Sequence, residues 1–404
     1  VTQRLYQADA YATTFESRVV SVTPHEGRYL TELEATLFYP ESGGQPADTG
    51  TIEEVRIEDA LDEGSRVLHV SSVKPGFGPG DVVRGEIDWP RRLLNMQQHT
   101  GQHILSQAFL RVLDAATVSS RLGLEHSTID VARLDLSWED MEKVEQLANS
   151  VVYEDLPVET CEVTRDETAD LRMKRPVDRE VLRIVEVDDF DRSPCGGTHC
   201  RRSGEVGLVK ILRWEKVRDT TRVEFMCGVL AEADYFWKSR FIVELAQDLT
   251  TKDANIPAQV RGMIEDQKDL RKQVEALRRR LLANDAAELA ARAEEMAGTR
   301  VVAAYLEDKS PSEVRELAAR LTGDRATVAL LAAGGERAHF VFSRSKDVGI
   351  DMRVVIKAAC EAVGGKGGGR PEVCEGGGKN MDQVAAALEQ SRQVLADLLG
   401  GQRT

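Results

Sequence analysis

Gln98-His-Thr-Gly-Gln-His103 and, far downstream, Cys195-Gly-Gly-Thr-His199 set how this chain must fold. Each stretch carries two metal-ligating side chains at i, i+4. The first pair sits inside an apolar helical pattern and the second in a glycine-bearing turn. Residues four apart on a helix share one face, so His99 and His103 can hold an ion from one side. Cys195 and His199 can close the other side only if the chain folds back on itself. Two imidazoles, a third imidazole and a thiolate form a complete tetrahedral zinc set. His-x-x-x-His alone is common on ordinary core helices; the second pair is what turns it into a metal signature. Ligands so far apart imply an active cleft rather than a local finger. Cys200, next to His199, is open to two readings, a substitute ligand or an incidental thiol.

Outward from that helix, an α+β organisation emerges. Residues 1–88 read as a small β-barrel, with strand patterns at Ser17–Val22, Tyr29–Tyr39, around Val67–Val70 and Val82–Ile87 between Gly, Pro and Asp turns. Pro90 then stands where a first helical turn tolerates it, and residues 91–113 carry helical spacing. Strands over 117–136 and an amphipathic helix over 138–153 complete an α+β domain spanning 89–240 around the zinc cleft. Residues 241–297 form a helical segment in which Ile264, Leu270, Val274, Leu277 and Leu281 share one side. That periodicity suits a hairpin or coiled coil and offers a homodimer surface, as does the domain that follows. Residues 298–404 alternate strand and helix patterns as a compact α/β unit.

Composition narrows the class. The 404 residues are 42% apolar and 30% charged, more than one core usually supports. No apolar run reaches membrane-spanning length, the amino terminus has no signal-peptide pattern, and six cysteines are scattered without a disulfide framework. A cytoplasmic protein without a membrane partner is the expectation. The net charge of −15 excludes a general nucleic-acid coat protein, although local basic surfaces still bind phosphate.

Two further motifs bear on partners. Gly364-Gly-Lys-Gly-Gly-Gly-Arg-Pro371 and Gly376-Gly-Gly-Lys379 combine backbone N–H groups with the cations Lys366, Arg370 and Lys379. The set reads as a phosphate-contacting loop, though not a P-loop, or as a plain flexible loop. The basic residues between Lys268 and Arg280 are interleaved with acids, the pattern of a solvated face. Thr36-Leu-Phe-Tyr-Pro-Glu-Ser-Gly-Gly-Gln45 reads as a strand and a Gly-rich turn that can place Thr36 and Gln45 at a cleft wall.

In this order, the Thr36–Gln45 motif with Asp48, the His-Thr-Gly-Gln-His stretch, Ser119-Ser-Arg-Leu-Gly123 with Ser127-Thr-Ile-Asp130, and Cys-Gly-Gly-Thr-His resemble the editing domain of alanyl-tRNA synthetase. The terminal Gly-rich unit resembles the DHHA1 domain that follows it there. The resemblance spans nearly the whole chain. With no large aminoacylation domain ahead of the β-region, it is to the freestanding long-form alanyl-tRNA editing proteins.

That resemblance implies a trans-editing deacylase using Zn2+ on His99, His103, Cys195 and His199. Thr36 and Gln45 would line the amino-acid pocket as catalytic residues, and Gly43 and Gly44 would contact substrate. Lys366, Arg370 and Lys379 would contact tRNA. The implied partner is alanine tRNA mischarged with serine or glycine, whose ester is hydrolysed because a synthetase pocket discriminates poorly between such small side chains. Four protein ligands leave two possibilities open: one ligand yields to a zinc-bound water, or zinc only anchors the site. The rivals are threonyl-tRNA-type editing of serine and a non-catalytic tRNA-binding protein with structural zinc. A DHHA1-containing phosphoesterase would need an Asp-His-His motif that this sequence lacks.

Overall fold

The computed structural model describes residues 1–164, 181–323 and 325–401. Within them the chain is a mixed α+β protein that divides into two compact units, Val1–Asp248 and Leu249–Thr404. Its α-helices are α1 (Trp89–Leu113), α2 (Trp138–Glu154), α3 (Val229–Asp248), α4 (Ile256–Ala291), α5 (Pro311–Leu321), α6 (Met352–Ala362) and α7 (Val384–Gly400). Among the described residues no helix is long and apolar enough to cross a membrane.

The first unit opens with a seven-stranded antiparallel sheet in the order Val55–Ile57, Gly50–Ile52, Val82–Ile87, Thr14–His25, Arg28–Leu33, Val67–Ser71, Asp59–Asp62. Thr14–His25 pairs through its first half with Val82–Ile87 and through its second half with Arg28–Leu33, so it bends the sheet around Phe15, Val19, Leu33, Phe38 and Ile52. The expected barrel is therefore a nearly closed sheet. Its two outermost strands, Val55–Ile57 and Asp59–Asp62, are not hydrogen-bonded to each other.

Helix α1 begins where the sequence directs it. The Asp88 side chain caps Arg91 N–H, Pro90 occupies the first turn, and Asp114 ends the helix in the left-handed region. Its inner face, with Met96, Ile104, Leu105 and Phe109, packs against the antiparallel sheet Thr117–Arg121, Ser127–Val131, Thr220–Cys227, Val209–Val217 and against α2. A capping box between Ser137 and Asp140 starts α2 and contributes on the order of 1 kcal/mol. A three-stranded sheet, Val158–Thr164, Val181–Val187 and Asp191–Pro194, then delivers the chain to Cys195.

The second unit holds a six-stranded sheet ordered Glu294–Met296, Thr299–Leu306, Thr327–Ala333, Ala338–Arg344, Val373–Gly378, Lys366–Arg370. Thr299–Leu306 and Thr327–Ala333 are parallel, with α5 as the crossover. Val328, Leu330 and Ala332 face α6 and α7; Ala329, Leu331 and Ala333 face α5 and the end of α4. Burial on both faces explains the unbroken apolar run of that strand. The Gly-rich stretch read as a loop is instead a β-hairpin. Glycines let its strands approach so closely that a Cβ on Gly365 would stand 1.7 Å from the carbonyl oxygen of Gly377. Lys366 and Arg370 lie on the edge strand and Lys379 just beyond its partner, all three exposed.

Candidate metal centre and cleft

The structure brings together the two sequence pairs. His99 and His103 on α1 meet Cys195 and His199, and one ligand atom from each lies within 4.8 Å of all the others. The Sγ of Cys195 is 3.3 Å from His99 Nε2 and 3.3 Å from His199 Nε2. The imidazoles crowd one another, with ring centroids 4.3 Å apart for His99 and His199.

What orients the rings is an outer set of hydrogen bonds. His99 Nδ1 donates to Gln45 Oε1 at 2.7 Å, His103 Nδ1 to Asp191 Oδ2 at 2.9 Å, and His199 Nδ1 meets Thr100 Oγ1 at 3.2 Å. With every Nδ1 engaged, each ring keeps its Nε2 lone pair for the centre. Outer partners of this kind fix the tautomer and raise the basicity of metal-bound histidines. Donor identity, mutual distance and ring orientation therefore all fit a tetrahedral metal ion.

The turn carrying Cys195 is held with equal care. Arg183 Nη1 donates to the carbonyls of Cys195 at 2.8 Å and Gly197 at 3.0 Å. Gly197 must lack a side chain, because a Cβ there would stand 2.2 Å from Cε1 of His99. Gln45 Oε1 also accepts Thr198 N–H at 3.1 Å, while Gln45 Nε2 donates to Thr198 Oγ1 at 2.8 Å.

Electrostatics follow from this crowding. Burial pushes the Cys195 thiol up, but the neighbouring His99 and His199, with hydrogen bonds from His103 and His199, outweigh it and hold the thiol well below its usual range. Burial also lowers His103, yet the Asp191 carboxylate and Cys195 lift it to about 9. Burial and the other two imidazoles press His199 down to about 3. Cys200 behaves otherwise: it is buried, stands outside the four-residue cluster, and its thiol is pushed up by burial to about 12. Of its two sequence readings, the incidental thiol is the one the geometry supports.

The cluster sits against a cleft of about 1200 Å³. One wall is the turn with Tyr39, Ser42, Gly43 and Gly44; others are Thr117–Ser120 and the chain from Glu186 to Gly197. Gly43 and Gly44 therefore line the cleft. Both take positive φ, and a Cβ on Gly44 would meet the Ser120 carbonyl at 2.9 Å.

Thr36 and Gln45 do not line this wall. Both are wholly buried, and neither borders the cleft. Gln45 reaches the site through His99 and Thr198. Thr36 sits behind the wall: its hydroxyl accepts Phe38 N–H at 3.0 Å and bonds His69 Nε2 at 2.7 Å. His69 Nδ1 faces the Thr31 carbonyl at 2.9 Å, so Nδ1 carries the proton and Nε2 accepts from Thr36. Lys366, Arg370 and Lys379 belong to the second unit and none of them pairs with a carboxylate among the described residues.

Sequence reasoning missed the supports. Asp191 and Arg183 lie in no motif, and Thr100 and Thr198 stand inside the two ligand motifs without a reading of their own. Arg92 lies in none either: it is wholly buried on α1, its Nε lies 3.1 Å from both Asp48 oxygens, and its guanidinium also bonds the carbonyls of Ala10 and Leu37. Asp48 in turn accepts Tyr39 N–H at 2.7 Å. This ion pair fixes the cleft turn to the helix that carries His99 and His103, and an arginine nearly two turns before His99 was the available signal.

Three family models match the chain: tRNA synthetases class II (A) over residues 8–91, the threonyl and alanyl tRNA synthetase second additional domain over 182–223, and the DHHA1 domain over 298–397. The alanyl-tRNA editing protein AlaX-L of Pyrococcus horikoshii is 28% identical over 97% of this chain and 99% of its own length. The alanine–tRNA ligase of Pyrococcus abyssi is 32% identical over 98% of this chain but only 44% of its own, so the chain spans less than half of that relative. Among solved structures, the C-Ala domain of Aquifex aeolicus alanyl-tRNA synthetase covers 26% of this chain and 98% of its own at 27% identity, with a TM-score of 0.25. With Cys195 and His199 of the cluster inside the matched second additional domain and a DHHA1 domain after it, the chain is similar over nearly its whole length to a free-standing alanyl-tRNA editing protein with DHHA1.

Proposed function

We propose that the chain is an aminoacyl-tRNA deacylase that hydrolyses the ester of serine or glycine wrongly attached to alanine tRNA. The observation that carries this reading is the convergence of four ligand atoms within 4.8 Å at the wall of a cleft of about 1200 Å³. Such a volume exceeds what an amino acid alone fills and suits an aminoacylated terminal nucleoside, since ligand pockets run to roughly 1,000 Å³.

Zinc is the ion that three imidazoles and one thiolate favour, held by His99, His103, Cys195 and His199, and it would supply Lewis-acid charge beside the ester. The remaining work falls to the chain. Gln45, Thr100 and Asp191 hold the rings with Nε2 turned inward. Gly43 and Gly44 let the backbone approach the substrate, and Arg92 with Asp48 keeps that turn against α1. Thr36 supports the same wall from behind through Phe38 and His69. Lys366, Arg370 and Lys379, exposed on the Gly-rich hairpin, supply contacts to the tRNA backbone.

An editing site must spare alanine. A cleft that hydrogen-bonds the serine hydroxyl does so, because the alanine methyl leaves the polar partner unpaired. Threonyl-type editing is kept as a second reading because the matched second additional domain is described for both synthetases. The test is release of amino acid from four purified substrates: serine, glycine and alanine on alanine tRNA, and serine on threonine tRNA. Release of the first two alone is expected. Serine release only from threonine tRNA would favour the rival, and no release from any would leave a non-catalytic tRNA-binding protein.

A further inference from the structure

The cleft continues along helix α1 well past the metal centre. His99, Gln102, His103, Ser106, Gln107 and Leu110 recur at steps of three and four and all border it, so one helix face forms its floor. From His103 to Leu110 is nearly two turns, about 10 Å along the axis. The lining changes character over that distance. Gln102 and Ser106 make a polar middle, with Gln102 Nε2 donating to Ser106 Oγ at 2.7 Å. Beyond them Leu110, Val118, Val187 and Phe190 form an apolar end. The strand Thr117–Arg121 leaves that end soon after α1 stops and runs back toward the metal, where Leu122 N–H meets the Gly44 carbonyl at 2.9 Å.

The apolar end is built rather than left over. The register of Thr117–Arg121 against Ser127–Val131 shifts between Thr117 and Ser119, so Val118 is an extra residue, 55% exposed at the cleft. Bulges of this kind re-aim side chains and are common beside active sites. Thr117 Oγ1 is buried and has no hydrogen-bond partner among the described residues. A buried hydroxyl calls for a partner, and Thr117 borders the cleft. The opposite wall is pinned to α1. Arg111 Nη2 donates to the carbonyls of Asp189 at 2.9 Å and Phe190 at 2.6 Å, and its guanidinium lies 4.3 Å from the Phe190 ring centroid. Asp191, next along, orients His103, so one hairpin serves both the metal centre and the apolar end.

We infer that this end is the subsite for the terminal adenine of the tRNA, with Thr117 Oγ1 bonding the base edge and the polar middle taking the ribose. The inference rests on the deacylase reading, which sets the ester at the metal centre; the terminal nucleoside of tRNA is adenosine, and its base lies one ribose from the ester. Apolar walls with a single hydrogen-bonding group suit the face and edge of a purine. A serine or glycine side chain is too small to fill them.

The full chain with its metal is titrated calorimetrically with 3′-serylamino-3′-deoxyadenosine, a stable amide in place of the ester, and with the matching uridine compound. The adenosine compound should bind about ten-fold more tightly. Val118→Asp should weaken it about ten-fold and Thr117→Val roughly three- to ten-fold. Metal content and far-ultraviolet circular dichroism should be unchanged, since neither residue belongs to the ligand cluster. Equal affinity for the two compounds would overturn the subsite, as would unchanged affinity in both variants. Release of serine from alanine tRNA by the same preparation keeps the two readings apart. Release without base selectivity defeats the subsite alone, whereas base-selective binding without release supports the subsite and defeats the deacylase.

Discussion

Gln45 Oε1 stands 2.7 Å from His99 Nδ1 and 3.1 Å from the Thr198 backbone nitrogen, so one buried amide grips both halves of the metal-ligand set. Its nitrogen is spent as well, on Thr198 Oγ1 at 2.8 Å. The side chain sits at the end of the Gly43-Gly44 turn, so it registers the cleft wall against the metal centre, alongside the Arg92–Asp48 pair. A group so fully engaged has little left for substrate, and its role is to position.

Gln45→Ala should therefore weaken metal binding by about 10- to 100-fold, the usual effect of deleting an outer partner of a histidine ligand. Release of serine and glycine should slow together, because the centre and not the side-chain pocket is disturbed. Gln45→Glu keeps an acceptor for His99 and should recover most of the metal affinity. Competition with a chromophoric chelator measures this. Slowed release with unchanged metal affinity would return Gln45 to direct contact with the ester.

His69 gives a pH dependence whose sign is fixed by burial. Desolvation lowers it from 6.5 to about 4, because the ring is sealed between Thr31 and Thr36. The unfolded chain then takes up the proton first as pH falls. The stability held above pH 6.5 is lost progressively between 6.5 and 4, to a limit of about 3 kcal/mol from about 1.4 kcal/mol per pKa unit. In His69→Asn this slope should be absent, so the difference in urea-unfolding free energy between parent and variant should change with pH across that window. Thr36→Val should cost about 1–3 kcal/mol at neutral pH, because it leaves Phe38 N–H and His69 Nε2 without partners. A pH-independent difference between parent and His69→Asn would refute the buried-neutral assignment.

How much of this was legible depends on the range of the signal. Helix α1 and its start could be read because Asp88, Pro90 and the apolar spacing are local. The ligand quartet was legible because few residue types bind metal and their spacing repeats. The curl of the amino-terminal sheet was only half legible: strand patterns mark each segment, but closure depends on pairing between ends far apart in sequence. The Gly-rich hairpin was misread for a physical reason. Glycine removes the alternation that marks a strand, and here that absence is what allows the close approach of Gly365 and Gly377. Thr36 and Gln45 were located but not placed, since the sequence cannot say whether a polar side chain faces the cleft or a buried partner such as His69 or Thr198.

The acidic balance of the chain makes the proposed binding of tRNA a question of local charge. Lys366 and Arg370 project from an edge strand and Lys379 follows its neighbour, so the three cations flank one hairpin without carboxylate partners among the described residues. Each phosphate contact releases condensed counterions, and the slope of log affinity against log salt shrinks by roughly 0.7–0.9 for every contact removed. Lys366→Ala, Arg370→Ala and Lys379→Ala in one chain should thus weaken binding of alanine tRNA and flatten that slope by about two units. Metal content should not change, because none of the three residues belongs to the ligand cluster. Filter binding across a salt series, with the parent alongside, reads both quantities. An unaltered slope would assign the hairpin some task other than phosphate contact.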